Sequence, residues 1–216
     1  MRICSVSGCN KKHRTNGYCD KHNKQIRKYG SILERTKHDP NEIIIDNNIC
    51  RMKLYNQYGK EVMETIFDLK YKEEIEKYKW RLLTIENPYV LCNWIDENKN
   101  SHQLYLHQAI VYLSGQEVPD GYEIDHQDGD KLNCLEENLR ICTQSQNQQN
   151  RVKQKPGVSN YKGIYWHSRD KKWYARIILN HKRINLGSFN DPKDAARAYN
   201  TAAIKYFNEF ANLNQI

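Results

Sequence analysis

No long apolar run occurs in these 216 residues. Nothing approaches the roughly 20 apolar residues of a membrane-spanning helix. The opening stretch, MRICSVSGCNKKH, has no apolar h-region of a secretory signal. Apolar side chains make up only 38% of the chain and mean hydropathy is −0.93. A single large core is therefore not expected; several small domains with basic surfaces are. No heptad or long apolar stripe forces self-association, so a monomer is expected, with a dimer as the alternative. Seven cysteines without a signal peptide argue against a disulfide framework and for a reducing compartment, the cytosol.

Charge is present in blocks. Residues 1–38 hold ten Lys/Arg against two acids, a net of +8; residues 39–151 hold twelve against twenty, −8; residues 152–216 hold twelve against four, +8. Two basic ends thus flank an acidic middle. Basic ends supply affinity for phosphate, while the middle gathers carboxylates able to hold a cation.

The most informative stretch is 121–151, GYEIDHQDGDKLNCLEENLRICTQSQNQQNR. Residues 122–126 alternate as a short strand, and Asp128-Gly129-Asp130 reads as a turn. Leu139 and Ile141 suit a returning strand. Thr143-x-x-Gln146 has the form of a capping box opening a helix, and Asn147 would sit one turn into it. Asp125 and His126 are adjacent; Asn138 lies twelve residues beyond His126 and Asn147 twenty-one. His126 can act as a base because imidazole titrates near neutral pH. Asp125 and Asn147 offer the hard oxygen ligands that Mg2+ prefers, leaving room for water and phosphate.

This spacing resembles the ββα-metal site of HNH homing endonucleases, in the branch where Asn replaces the last His. The resemblance implies metal-dependent cleavage of a phosphodiester bond, with His126 and Asn138 catalytic and Asp125 and Asn147 holding one Mg2+ or Mn2+. Asn138 inherits the role of orienting the His ring or its loop. It also implies a small β-rich lead-in before the hairpin.

The basic N-terminal end carries Cys4-x4-Cys9-x9-Cys19-x2-His22. Three thiolates and one imidazole form a standard tetrahedral Zn2+ set, with His13 as a rival to His22. A segment this short cannot bury a core and should be disordered without metal. It is similar to the Cys-rich leader of some phage HNH proteins and ends in a Lys/Arg-rich helix over 21–29. Its expected role is DNA contact or structural support.

Between 39 and 110, strands are expected at 42–46, 51–54, 89–95 and 103–107, and helices at 71–80 and 108–114. His107 is expected to be a structural histidine, with bracing of the site or a phosphate contact as alternatives. Cys50, Cys92, Cys134 and Cys142 lack paired spacing and read as small buried residues.

After Pro156-Gly157 the pattern changes. The segments YKGIY (161–165), KWYARI (172–177), INLGSF (184–189) and DAARAYN (194–200) read as three strands, with turns at 168–171 and 180–181, and a helix. Ala195, Ala198, Ala202 and Ala203 let that helix lie close to the sheet, and Trp166 and Trp173 are expected in the core. The pattern resembles an AP2 domain, whose sheet enters the major groove of DNA. The resemblance points to Lys162, Tyr165, His167, Arg169, Lys172, Arg176, Arg183 and Asn185 as DNA-binding residues. Tyr165 and Asn185 depart from the plant pattern, so base preference does not carry over.

The expected fold class is α+β in small modules. These are a zinc-binding leader (1–38), an HNH domain (39–151, with its catalytic hairpin and helix at 121–151), and an AP2-type three-stranded antiparallel sheet packed on one helix (157–216). The expected function is a sequence-targeted DNA endonuclease acting on double-stranded DNA in the cytoplasm (the host's, if phage-encoded), with no membrane association. The alternatives are a catalytically inactive AP2/zinc regulator and an RNA-binding protein.

Overall fold

A computed structural model describes residues 2–33, 35, 39–150, 159–179 and 182–216. The fold is mixed α+β, with small antiparallel sheets and few helices, in two compact units, Met1–Leu106 and His107–Ile216. None of the described helices is long and apolar enough to cross a membrane.

The first unit opens with a knuckle closed by the bridges Ile3↔Lys12 and Thr15↔Tyr18. Helix α1 (Asp20–Tyr29) follows and stops at Gly30, whose φ of 74° lets its N–H reach the Ile26 carbonyl at 2.8 Å. Strands β1 (Ile43–Asp46), β2 (Ile49–Tyr55) and β3 (Glu61–Asp68) form an antiparallel meander. Cys50, Met52 and Leu54 alternate inward along β2, the two-residue period of a strand with one buried face.

The helix expected over 71–80 is cut to four residues, α2 (Lys72–Ile75), entered through a 3-10 turn at Leu69–Tyr71. Tertiary contacts override its local preference. Trp80 instead opens β4 (Trp80–Leu82), pairs with Cys92 of β5 (Val90–Ile95), and donates its indole N–H to the Ile75 carbonyl at 2.7 Å. The Asn41 side chain accepts from the Trp80 N–H and donates to the carbonyls of Lys53 and Trp80, so it clamps β2 to β4. Strand β6 (Ser101–Tyr105) completes the second sheet. Cys50 and Cys92 are fully buried, as their lack of paired spacing predicts.

At the boundary begins α3 (Leu106–Leu113), which places His107 in a first helical turn rather than at a strand end. The hairpin of β7 (Tyr122–His126) and β8 (Leu139–Thr143) leads into α4 (Gln144–Asn150). The capping box forms reciprocally: Thr143 N–H donates to Gln146 Oε1 at 2.8 Å, and Gln146 N–H to Thr143 Oγ1 at 3.3 Å.

Strands β9 (Ile164–His167), β10 (Lys172–Leu179) and β11 (Lys182–Phe189) form the third antiparallel sheet, in the order β11-β10-β9, with α5 (Pro192–Phe207) across one face. The expected turn at 168–171 is present, and the one at 180–181 lies outside the described residues. Asp191 caps α5 by accepting the Lys193 N–H at 2.7 Å, with Pro192 at the first position. Ala195, Ala196 and Ala203 are fully buried, which brings the helix backbone close to the sheet. Gly163, at φ 75°, sits under Tyr199: a Cβ there would lie 2.3 Å from its ring and 2.6 Å from the Arg176 carbonyl.

Of the two tryptophans expected in this core, Trp173 packs on it, whereas Trp166 is 38% exposed at the sheet edge beside Trp173. Trp166 lies on β9, an edge strand with no strand beyond it, while Trp173 lies on the central β10. Cys142 of β8 belongs to the same core as Ile164, Ala175, Ile177 and Tyr199, so the hairpin and the C-terminal sheet share one apolar interior.

Candidate active site

The register of the hairpin sets the site. Asp125 pairs with Arg140 and His126 with Leu139 across β7 and β8. Directly opposed residues share a face of the sheet, so Arg140 meets Asp125. Its Nε and Nη2 both donate to Asp125 Oδ2, at 3.0 and 2.7 Å. Helix α4 presents Asn147 and Asn150, three residues apart and therefore on one side. Asn147 Nδ2 donates to Glu123 at 2.6 Å. Asn150 Nδ2 donates to both Asp125 oxygens (3.2 and 3.0 Å) and to the His126 carbonyl (2.9 Å).

His126 is buried beside the ring of His107, with centroids 5.1 Å apart edge to face, and its Nε2 lies 3.9 Å from Cys134 Sγ. Burial pulls the His126 imidazole below its ordinary value, although the carboxylates of Asp128, Asp125 and Asp130 pull it up. Burial, helped by the neighbouring His126, takes His107 down to about 3. Both rings are therefore neutral at pH 7, the form in which an imidazole can accept a proton.

Asn138 secures the loop that follows His126. Its Nδ2 donates to Asp128 Oδ1 (3.0 Å) and the Asn133 carbonyl (2.8 Å). Its Oδ1 accepts the Asp128 N–H (3.1 Å), and its carbonyl accepts the Gln127 N–H (2.9 Å). Asn138 touches the loop from both ends.

Asp125 and Asn147 fit a hard divalent cation by their chemistry. Among the described residues, Asp125 Oδ2 takes three hydrogen bonds and Oδ1 only one, the 3.2 Å contact from Asn150. Glu123 is acceptor-only when ionised, so the Asn147 amide faces it with nitrogen and leaves its oxygen as the donor for a cation. Oxygen donors of this kind are those Mg2+ and Mn2+ take.

Among the described residues, the one cluster of three or more Cys, His and acidic side chains able to share a metal is Cys4, Cys9, Cys19 and His22. Their ligand atoms all lie within 4.8 Å of one another, with Cys4 Sγ to His22 Nδ1 at 3.1 Å, Cys19 Sγ to His22 Nδ1 at 3.6 Å and Cys9 Sγ to Cys19 Sγ at 3.9 Å. A tetrahedron with Zn–S bonds of ~2.3 Å has edges of about 3.8 Å, so the cluster is of the right size. Burial pushes the Cys4 thiol up, but hydrogen bonds from His22 and from the backbone of Val6 and Cys19 outweigh it and bring it down to about 6. His13 is not part of the cluster.

On the C-terminal sheet, Tyr165, His167, Lys172, Arg176, Arg183 and Asn185 fall on the side away from α5. Pairings of His167 with Lys172 and of Arg176 with Asn185 place them in register. The Arg176 guanidinium lies 4.7 Å over the Tyr165 ring, and His167 pairs with Asp170 at 3.1 Å. Arg169 is exposed in the β9–β10 turn. Lys162 is apart from these: it precedes β9, its Nζ donates to the Gln149 carbonyl at 2.5 Å, and burial pulls it down to about 8.

Sequence reasoning missed Arg140, Asn150 and Glu123. The spacing of Asn150 from Asn147 on a helix was a usable sign. Arg140 required the strand register, which only the folded hairpin reveals.

The sequence model of the HNH endonuclease family matches residues 104–149, which span α3, the hairpin and most of α4. An uncharacterized HNH endonuclease of Acanthamoeba polyphaga mimivirus is 30% identical over 142 residues, covering 66% of this chain and 70% of the viral protein. The chain belongs to the HNH endonuclease family. Protein 3.8 of Escherichia phage T7 is 34% identical over 71 residues, covering 33% of this chain and 59% of the phage protein. An ethylene-responsive transcription factor of Arabidopsis thaliana is 42% identical over 52 residues, 23% of this chain and 12% of the plant protein.

Proposed function

We propose that this protein is a sequence-targeted DNA endonuclease of the homing type that hydrolyses phosphodiester bonds with one divalent cation. The reading rests on one observation above others: Asp125 and His126 end a strand that faces Asn147 and Asn150 of α4, with Asn138 tying down the intervening loop. His126 is neutral and takes the proton of the attacking water. Asp125 and Asn147 would hold Mg2+ or Mn2+, whose charge would offset that developing on the phosphate. Asn138 keeps the His126 loop in place.

The C-terminal sheet and helix act as an AP2-type domain that grips double-stranded DNA through Tyr165, His167, Arg169, Lys172, Arg176, Arg183 and Asn185, and the similarity to a plant transcription factor supports that role. Lys162 serves this module from inside, through its bond to α4. Cys4, Cys9, Cys19 and His22 would hold a structural Zn2+ that orders the N-terminal knuckle. A monomer carries one active site and nicks one strand; a dimer or paired nicks would break both. The similarity to a phage protein fits action in host cytoplasm.

The second reading is a DNA-binding regulator that does not cut, and the occupation of Asp125 by Arg140 and Asn150 favours it. Supercoiled plasmid bearing inserts from a candidate host, incubated with Mn2+ or with EDTA, separates the two. Open circles that require the cation support the nuclease. Tight DNA binding with no cut product in either condition supports the regulator.

A further inference from the structure

Two residues hold the Asp125 carboxylate, and each is held in turn by the chain after α5. Arg140 Nη1 donates to the Glu209 carbonyl at 2.6 Å while its guanidinium lies 3.9 Å over the Phe210 ring. Asn212 Nδ2 donates to the Asn150 carbonyl at 2.8 Å. The guanidinium is planar, with its five N–H groups in a fixed fork. Once Glu209 and Phe210 set that plane, Nε and Nη2 both point at Asp125 Oδ2 and leave Oδ1 facing α4. Asn150 holds the same carboxylate, at 3.0 Å from Oδ2 and 3.2 Å from Oδ1, and the His126 carbonyl with one amide nitrogen. Arg140 is 13% exposed and Asp125 8% by side chain, so neither has water as a ready substitute partner.

We infer that Arg140 and Asn150 are positioning residues for the cation held by Asp125, and that residues 208–212 brace them from behind, making the C-terminal module part of the nuclease site. This inference rests on the endonuclease reading above. The brace acts through orientation: it decides which carboxylate oxygen is spent on the protein and which remains for the cation. Partners of a metal ligand typically alter affinity or activity by about 10–100-fold when removed.

The test uses the full chain in four forms: wild type, Arg140→Lys, Asn150→Ala and Asn212→Ala. Mn2+ binding is followed by the loss of the free-ion electron paramagnetic resonance signal. Plasmid nicking is resolved into kcat and KM, and folding is followed by thermal melting. Arg140→Lys keeps the charge but not the fork, so the expected result is Mn2+ affinity and kcat lower by about 10–100-fold with KM for DNA nearly unchanged. Asn150→Ala should behave alike, and Asn212→Ala should lose several-fold in the same two quantities. A lower melting temperature with unchanged Mn2+ affinity and kcat would overturn the inference, because the contacts would then be structural only. Tighter Mn2+ binding in Arg140→Lys would also overturn it, because the arginine would then be a competitor of the cation. A wild type that binds DNA yet neither takes up Mn2+ nor nicks removes the endonuclease reading and this inference with it.

Discussion

Removing the metal from the N-terminal knuckle should melt that segment alone. Within residues 2–33 the buried side chains are Cys4, Cys19, His22 and Gln25, so three of the four are themselves ligands and no apolar core lies beneath them. Helix α1 has ten residues, fewer than the ~12–15 at which an isolated helix becomes even marginal in water. A structural zinc contributes apparent binding energies of about 10–16 kcal/mol near pH 7. The only other buried side chain, Gln25, cannot replace that. Protein purified with zinc present should therefore carry one zinc per chain by atomic emission. Chelation, or Cys19→Ser, should remove the ion together with the helical circular dichroism of the ten α1 residues, while the melting of the remaining chain persists. His13→Ala should do neither, since His13 lies outside the cluster. A zinc content near zero, or a helix signal that survives chelation, would refute the reasoning.

Four further outcomes are expected. The acid limb of cleavage should fall below the ordinary histidine value of 6.5, because burial lowers His126; an acid limb above 6.5 would contradict the burial argument. His107, near 3 when folded and 6.5 when unfolded, costs nothing above pH 6.5 and destabilises the fold progressively as pH drops below it, by on the order of 2 kcal/mol at pH 5. A His107→Gln chain should therefore lose less melting temperature than wild type between pH 7 and 5, and equal losses would refute the assignment. Arg176→Ala should weaken DNA binding about 10-fold, consistent with ~1–3 kcal/mol for a recognition arginine. Lys162→Met should leave DNA affinity nearly unchanged in a filter-binding or anisotropy titration, because its Nζ is taken by the Gln149 carbonyl; a larger loss than in Arg176→Ala would contradict that.

Local signals carried the site further than they carried the lead-in. Residues 122–126 alternate, and the strand runs over those residues; Thr143 and Gln146 form the capping box their spacing implies. Both features depend on neighbours within a few positions. The helix expected at 71–80 failed because Trp80 is drawn into β4 by Asn41 and Cys92, thirty-nine residues before it and twelve after it. For the same reason the partners of Asp125 were not legible: Arg140 depends on the hairpin register, and its support comes from Glu209, sixty-nine residues away. The Cys/His cluster was legible because its ligand spacing is itself the constraint on the fold. The open face of the C-terminal sheet followed from strand alternation for six of the eight residues expected to meet DNA. Lys162 and Arg169 lie outside the strands, where alternation says nothing.

The most direct test of the nuclease account compares His126→Ala with wild type in single-turnover cleavage of plasmid with Mn2+, alongside DNA affinity measured in EDTA. Loss of a general base typically lowers rates by about 10²–10⁴-fold, and the account predicts such a loss with affinity unchanged. Cleavage at the wild-type rate by His126→Ala would contradict it.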